Sequence, residues 1–202
     1  MTDPQAKDAD HGGLHSSVWL GFVPWLLFAV LCRRDTLQAA VVAGLAAALA
    51  ISAPGVLAGR PKILELGTVA FFVVFVLVVF AVDQGADDFL NRYGRAIATA
   101  GLASIAAVSL LIGRPFTEGY AREQVDPSLW KTQRFAEVNR LFTVGWTLAF
   151  LAMSASHVIA GAIDTHRAET IFNWVIPIAL VVAMVKYMAR VQAEGNQTSV
   201  TP

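Results

Sequence analysis

Thiols and charges are what this chain has least of. One cysteine, Cys32, stands among 202 residues, which excludes an intramolecular disulfide framework and any cysteine-based metal site. Charged residues make up 15% of the chain, well below the roughly 25% of soluble domains. Fifteen basic residues balance fifteen acidic ones, so no net field points to nucleic acid. Catalytic signatures are missing as well: no G-x-S-x-G, H-E-x-x-H, Walker loop or dinucleotide fingerprint occurs. No pair of carboxylates lies deep in an apolar run, as proton-driven transport would need. The expectation is a non-enzymatic protein with no cofactor and no metal.

What is present is apolar. Hydrophobic residues reach 56% and the mean hydropathy is +0.58. Crossing about 30 Å of hydrocarbon takes about 20 mostly apolar residues, and six runs qualify: 14–32, 37–57, 63–82, 96–112, 141–163 and 170–188. Each must be helical, because lipid offers no partner to bare backbone amides. The predicted fold is therefore all-α, a polytopic bundle of six transmembrane helices spanning 14–190. Polar tails at 1–13 and 191–202 flank it, and an interfacial amphipathic segment separates the fourth and fifth helices. Lys7 is the only basic side chain before His11, a poor start for a cleaved signal, so the first run is expected to be retained.

Loop charge gives the orientation. With the N-terminus inside, the cytoplasmic side carries Lys7, Arg60, Lys62, Arg114, Arg122, Lys131, Arg134, Arg140, Lys186 and Arg190. The outer side carries Arg33, Arg34, Arg92, Arg95 and Arg167. That bias predicts both termini on the cytoplasmic side of a bacterial inner membrane. The second and fourth runs, rich in Ala, Gly and Ser, predict close packing at the centre of the bundle. The third, FFVVFVLVVF, predicts a lipid-facing helix.

Gly59-Arg60-Pro61 and Gly113-Arg114-Pro115 close the second and fourth runs in the same way. Glycine suits a helix C-terminus, arginine meets the negative end of the dipole, and proline prevents continuation. Beyond the second stop lies the most unusual segment, 113–140. Glu118 and Arg122 have the i,i+4 spacing of a helical ion pair. Asp126-Pro127 reads as the cap and first turn of a new helix carrying Trp130, Lys131, Arg134, Phe135 and Arg140 into the fifth span. Aromatic and basic residues at headgroup depth anchor a helix at the interface. The same residues, with Arg114, Tyr120, Arg122 and Glu123 foremost, also suit a binding surface.

The order GRPFTEGYAREQVDPSLWKTQRFAEVNRLFTVGWTLAFLAMS resembles the second half of the intracellular septation protein A family of small bacterial inner-membrane proteins, or a related uncharacterised membrane family. The residues that carry the likeness are Gly113, Arg114, Pro115, Pro127, Trp130, Asn139 and Trp146, within roughly 83–190. The wording PFTEGYARE departs from the septation proteins. The resemblance implies a cell-envelope protein with no catalytic residues to carry over.

Few polar groups remain inside the runs. His157, with Asp164 and His166 just beyond, reads as a hydrogen-bonded bundle histidine or as the start of a site. Glu65 and Lys186 sit near cytoplasmic ends, snorkelling or paired across the bundle. Asp83, Asp87 and Asp88 mark the loop after the third run, as a solvated turn or a divalent-cation site. Together these give two functional expectations. One is interaction with the lipid bilayer or with envelope and division proteins through 113–140. The other is a small-molecule or lipid transporter working as a homo-oligomer, its ligand meeting His157 or Lys186 and its helices broken at Pro24 and Pro177.

Overall fold

Apolar helices run back and forth, joined at alternating ends, in the computed structural model. It describes residues 16–33, 35–82 and 84–197, with the backbone alone at 16–17, 84–87 and 194–197. Helix α1 covers Ser16–Leu31, α2 Leu37–Leu57, α3 Ile63–Ala81 and α4 Gln84–Leu111. A short α5, Phe116–Ala121, and a 3-10 turn, Pro127–Leu129, lead into α6, Gln133–Ile163. Then α7, His166–Thr170, passes through a π turn, Ile171–Val175, into α8, Ile176–Gln197. Among the described residues there is no strand. Five helices are long and apolar enough to cross a membrane: α2, α3, α4, α6 and the rod formed by α7 and α8. The described part of α1, 16 residues, is shorter.

Helix is more extensive than hydropathy alone predicts. The connection expected at 83–95 belongs to α4 from Gln84 onward, so Arg92 and Arg95 are helical rather than in a solvated loop. The helix expected to start at Pro127 does not form as one piece. The Asp126 side chain accepts from the Ser128 amide at 2.8 Å and caps only the 3-10 turn. A second cap, Thr132, accepts from the Phe135 amide and starts α6. Similarly, His166 opens α7 instead of lying in a loop, with Thr165 as the cap.

The centre of the bundle is the α4–α6 pair, its most extensive helix contact. Alanines of α4 (Ala96, Ala103, Ala106) are buried in the core and let α6 come close. The expectation that α2 and α4 are central is thus half corrected. The apolar stretch of α6 is 44% buried and that of α2 only 28%, because the Ala-rich α2 packs between α1 and α3. Nor is α3 bulky toward lipid alone. Leu64, Phe72, Phe75 and Val79 are buried while Val74, Leu77 and Phe80 are exposed, as expected of a helix with one packed face. Trp25 of α1 lies 5.0–5.1 Å from Phe71 and Phe72, and its indole N–H donates to Thr68 Oγ1 at 3.0 Å.

Proline acts differently in its two helices. Pro24 sits inside an uninterrupted α1, whereas Pro177 is the second residue of α8, one residue past the π turn. Proline has no N–H for the carbonyl four residues back, Asn173, and its ring crowds that carbonyl. Widening the preceding turn relieves the clash.

Both Gly-Arg-Pro stops form the same cap. Gly59 and Gly113 take left-handed φ of 68° and 72°. The Arg60 amide donates to Gly55 O and the Gly59 amide to Val56 O; Arg114 and Gly113 donate to Ser109 O and Leu110 O in the same pattern. These are the paired bonds of a Schellman motif. A β-branched residue is strained at such φ, so Gly59→Val and Gly113→Val should each lower stability by about 1–2 kcal/mol, read as a lower midpoint of thermal unfolding in detergent.

Candidate functional site

Helices α1 and α6 end where the antiparallel α4 begins, which brings orphaned helix-end carbonyls next to the charged first half of α4. The last carbonyls of a helix have no partner within it. In α1, Phe28 O takes the Cys32 amide and Ala29 O accepts from Arg95 Nε at 3.2 Å. In α6, Ala160 O takes the Asp164 amide and Gly161 O accepts from Arg92 Nε at 2.6 Å. Arg92 and Arg95 are three residues apart and so share a helix face. Each caps one neighbour with its Nε and keeps its terminal nitrogens for carboxylates.

Those carboxylates come from the α6–α7 corner. Asp164 caps α6 in left-handed conformation, φ 52°, a region few residues other than glycine occupy and where aspartate is enriched. Its Oδ2 lies 3.0 Å from Arg92 Nη2. Glu169 on α7 places Oε1 3.5 Å from Arg95 Nη1, and the Arg95 guanidinium sits 5.4 Å from the centre of the Trp174 ring. One turn deeper, α6 grips the π turn twice. Ser156 Oγ donates to Phe172 O at 2.7 Å, and His157 Nδ1 is 2.7 Å from Asn173 Oδ1. An imidazole N–H at Nδ1 donates to that amide oxygen, leaving Nε2 as the ring's other polar atom.

These groups surround a cavity of about 730 Å³ at this end of the bundle. Arg33, Arg92, Arg95, His157, Asn173 and Trp174 are among its lining side chains. Sequence reasoning singled out His157, Asp164 and His166, and all three line this cavity. They do not form one cluster: His157 turns to Asn173 and Asp164 to Arg92. Among the described residues no group of three His, Cys, Asp or Glu side chains could hold a metal ion. Asp83 lies outside the described residues, as does the Asp87 side chain, and Asp88 is exposed. Sequence reasoning missed Arg92, Arg95 and Asn173 as site residues. The available signal was an Arg-x-x-Arg pair just ahead of an apolar run, which reads as loop charge until the helix is known to begin earlier.

At the opposite end the elbow residues divide. Tyr120 is buried, with Gly21 against its hydroxyl end, so it contributes nothing to an exposed recognition surface. The Lys62 ammonium lies 4.5 Å from the centre of its ring, 2.8 Å from Glu123 and 3.7 Å from Glu65. Glu65 therefore pairs within its own turn, not with Lys186, which is exposed on α8. Arg122 pairs with Glu118 as the spacing predicted and covers Trp130 at 5.4 Å, whose indole donates to Val125 O. Arg114 is exposed. Beneath the elbow lies a second cavity of about 430 Å³, lined mainly by apolar side chains such as Phe116, Phe135, Phe142 and Met188.

Burial, reinforced by Glu65 and Glu123, pushes the Tyr120 phenol well above its ordinary pKa. The hydroxyl has no hydrogen-bond partner among the described residues. A buried polar group left unpaired costs about 1–3 kcal/mol. Tyr120→Phe should therefore raise stability, by about 1 kcal/mol or more, in thermal unfolding. A loss of stability would mean that the hydroxyl has a partner.

Comparison with protein-family models, with curated proteins and with solved structures returned no match for this chain.

Proposed function

We propose that this chain is a six-span, non-enzymatic protein of the bacterial cytoplasmic membrane, both termini inside, that takes a small polar molecule into the cavity between α4, α6 and α7. The observation that carries this reading is the cavity itself. A polar chamber with two anchored arginines and a buried histidine is a costly thing to keep at the end of an apolar bundle. Pockets with a few convergent polar groups are the usual places of ligand binding. The π turn in the α7–α8 rod also borders the cavity through Asn173 and Trp174, and π turns within helices are frequent at functional sites. For six spans, α1 offers geometric support: Gly21 near one end meets Tyr120, and Cys32 at the other meets Gly94, so α1 runs alongside its neighbours through most of the bundle.

The interaction reading, in envelope growth or septation, keeps one specific support. Arg114, Lys131, Arg134 and Arg140 are all exposed at the elbow end, a basic band suited to anionic headgroups or an acidic partner. Tyr120 and the internally paired Arg122 and Glu123 add nothing to it.

The ligand reading is tested with purified protein in detergent. Some small polar solute should raise the unfolding midpoint saturably, and His157→Ala or Asn173→Ala should remove the shift while leaving the protein folded. If solutes of every charge class leave the midpoint unmoved, the reading falls. Topology needs a reporter other than Cys32, which is buried and a poor target for a maleimide. With Cys32→Ser as background, Asp35→Cys at the exposed α1–α2 turn should react with a membrane-impermeant maleimide in intact cells. Labelling only after lysis would invert the orientation.

A further inference from the structure

We infer that the ligand of the α4–α6–α7 cavity is a small anion presenting a carboxylate or phosphate group, and that Asp164 and Glu169 hold its place on Arg92 and Arg95. The inference rests on the cavity being a ligand site. Three further observations carry it.

The first is charge. The lining includes three arginines, Arg33, Arg92 and Arg95, against two carboxylates, Asp164 and Glu169. One positive charge is in excess, and His157 and His166 on the same wall can only add to it. A cation entering this chamber meets net repulsion, whereas an anion is drawn in.

The second is the unequal fixing of the paired groups. Each arginine is pinned through Nε to a helix-end carbonyl, and the Arg95 side chain is only 12% exposed. Their guanidinium forks are therefore held in place before any ligand arrives, which favours planar or tetrahedral oxyanions. Of the carboxylates, Glu169 is the loosely held partner. Its side chain is 55% exposed against 12% for Arg95, whereas Asp164 at 39% matches Arg92 at 41%, and an exposed pair is worth little. An incoming oxyanion can displace Glu169 to water at small cost. A cation would instead have to displace arginines that also cap α1 and α6.

The third is what the placeholders hold. Asp164 is the left-handed corner of α6, and Glu169 lies on the five-residue α7. Their ion pairs fasten the α6–α7 corner and α7 itself to α4. Exchange for an external anion releases those two fastenings, while Ser156 and His157 keep the π turn on α6. Ligand binding is in this way tied to the freedom of α7.

The same oxyanion chemistry is available from a dissolved ion or from an anionic phospholipid headgroup, so the test has two arms. Full-length protein in detergent is titrated with inorganic phosphate and with acetate at constant ionic strength, against choline chloride and glycerol as cationic and neutral controls. In parallel, it is placed in nanodiscs with or without phosphatidylglycerol. Phosphate, acetate or phosphatidylglycerol should stabilise the wild type. Glu169→Gln and Asp164→Asn remove an internal competitor, so each should tighten anion binding about two- to fivefold. Arg95→Gln should weaken it about tenfold or more; because Arg95 also caps α1, the exposed Glu169→Gln is the deciding variant. Unchanged or weaker anion binding in Glu169→Gln overturns the inference. Stabilisation by the cationic or neutral solute with anions inert also overturns it, yet leaves the cavity as a ligand site. If nothing stabilises the protein, both fall together.

Discussion

The arginine bonds to helix-end carbonyls are the constraint on which this structure turns. In a bundle of apolar helices, packing of side chains into neighbouring helices sets how one helix sits against another, and polar bonds between helix ends can fix that position further. Arg92 and Arg95 supply such bonds. By reaching Gly161 O and Ala29 O, they set where α4 begins relative to the ends of α6 and α1. Both bonds satisfy acceptors that would otherwise be left over at a helix terminus. The polar cavity follows, because two guanidinium groups held at one level need counter-charges, and the α6–α7 corner supplies them.

Hydropathy made the helices legible and their meeting places obscure. The expected second run coincides with α2, and the third and first each end one residue beyond α3 and α1, the start of the first lying outside the described residues. Those boundaries were readable because apolar residues stop abruptly at Gly-Arg-Pro or at a charge. The fourth run was cut short for the opposite reason. Residues 84–95 are mostly polar, and the segment is helical where Leu90 enters the core and Arg92 and Arg95 reach neighbouring helix ends. The same blindness hid the site, since loop charge and cavity charge look alike in one dimension. His157, Asp164 and His166 were visible as isolated polar groups near the end of a span. That Asn173, sixteen positions on, is the histidine's partner depends on α8 folding back along α6, which no local spacing reveals.

The elbow shows how a pattern can be read correctly in parts and still mislead about its purpose. The Glu118–Arg122 pair and the capping role of Asp126 were both apparent from spacing. Ser128 holds the Asp126 carboxyl below its ordinary range, so the cap is strongest above the usual carboxylate pKa and is lost as pH falls through the lowered one. Yet Tyr120, the most conspicuous aromatic of the segment, points inward. Its ring receives the Lys62 ammonium, and Lys62 also meets Glu123 and Glu65. The segment is thereby fastened to the α2–α3 connection, and much of its polar character serves that attachment.

The π turn ahead of Pro177 acts like a single inserted residue. Each residue of an α-helix advances the side chains by about 100°, so the widened turn resets the phase of everything after it. It is in that phase that Met184 packs against Gly145 and Met188 receives the Trp146 indole N–H at 3.2 Å. Only 11% of the apolar stretch of this rod is buried, so these methionines are a large part of what joins it to the bundle. The irregular turn and the methionine seam are therefore one device: a proline upstream decides which edge of the last helix touches the protein and which edge is left to the lipid.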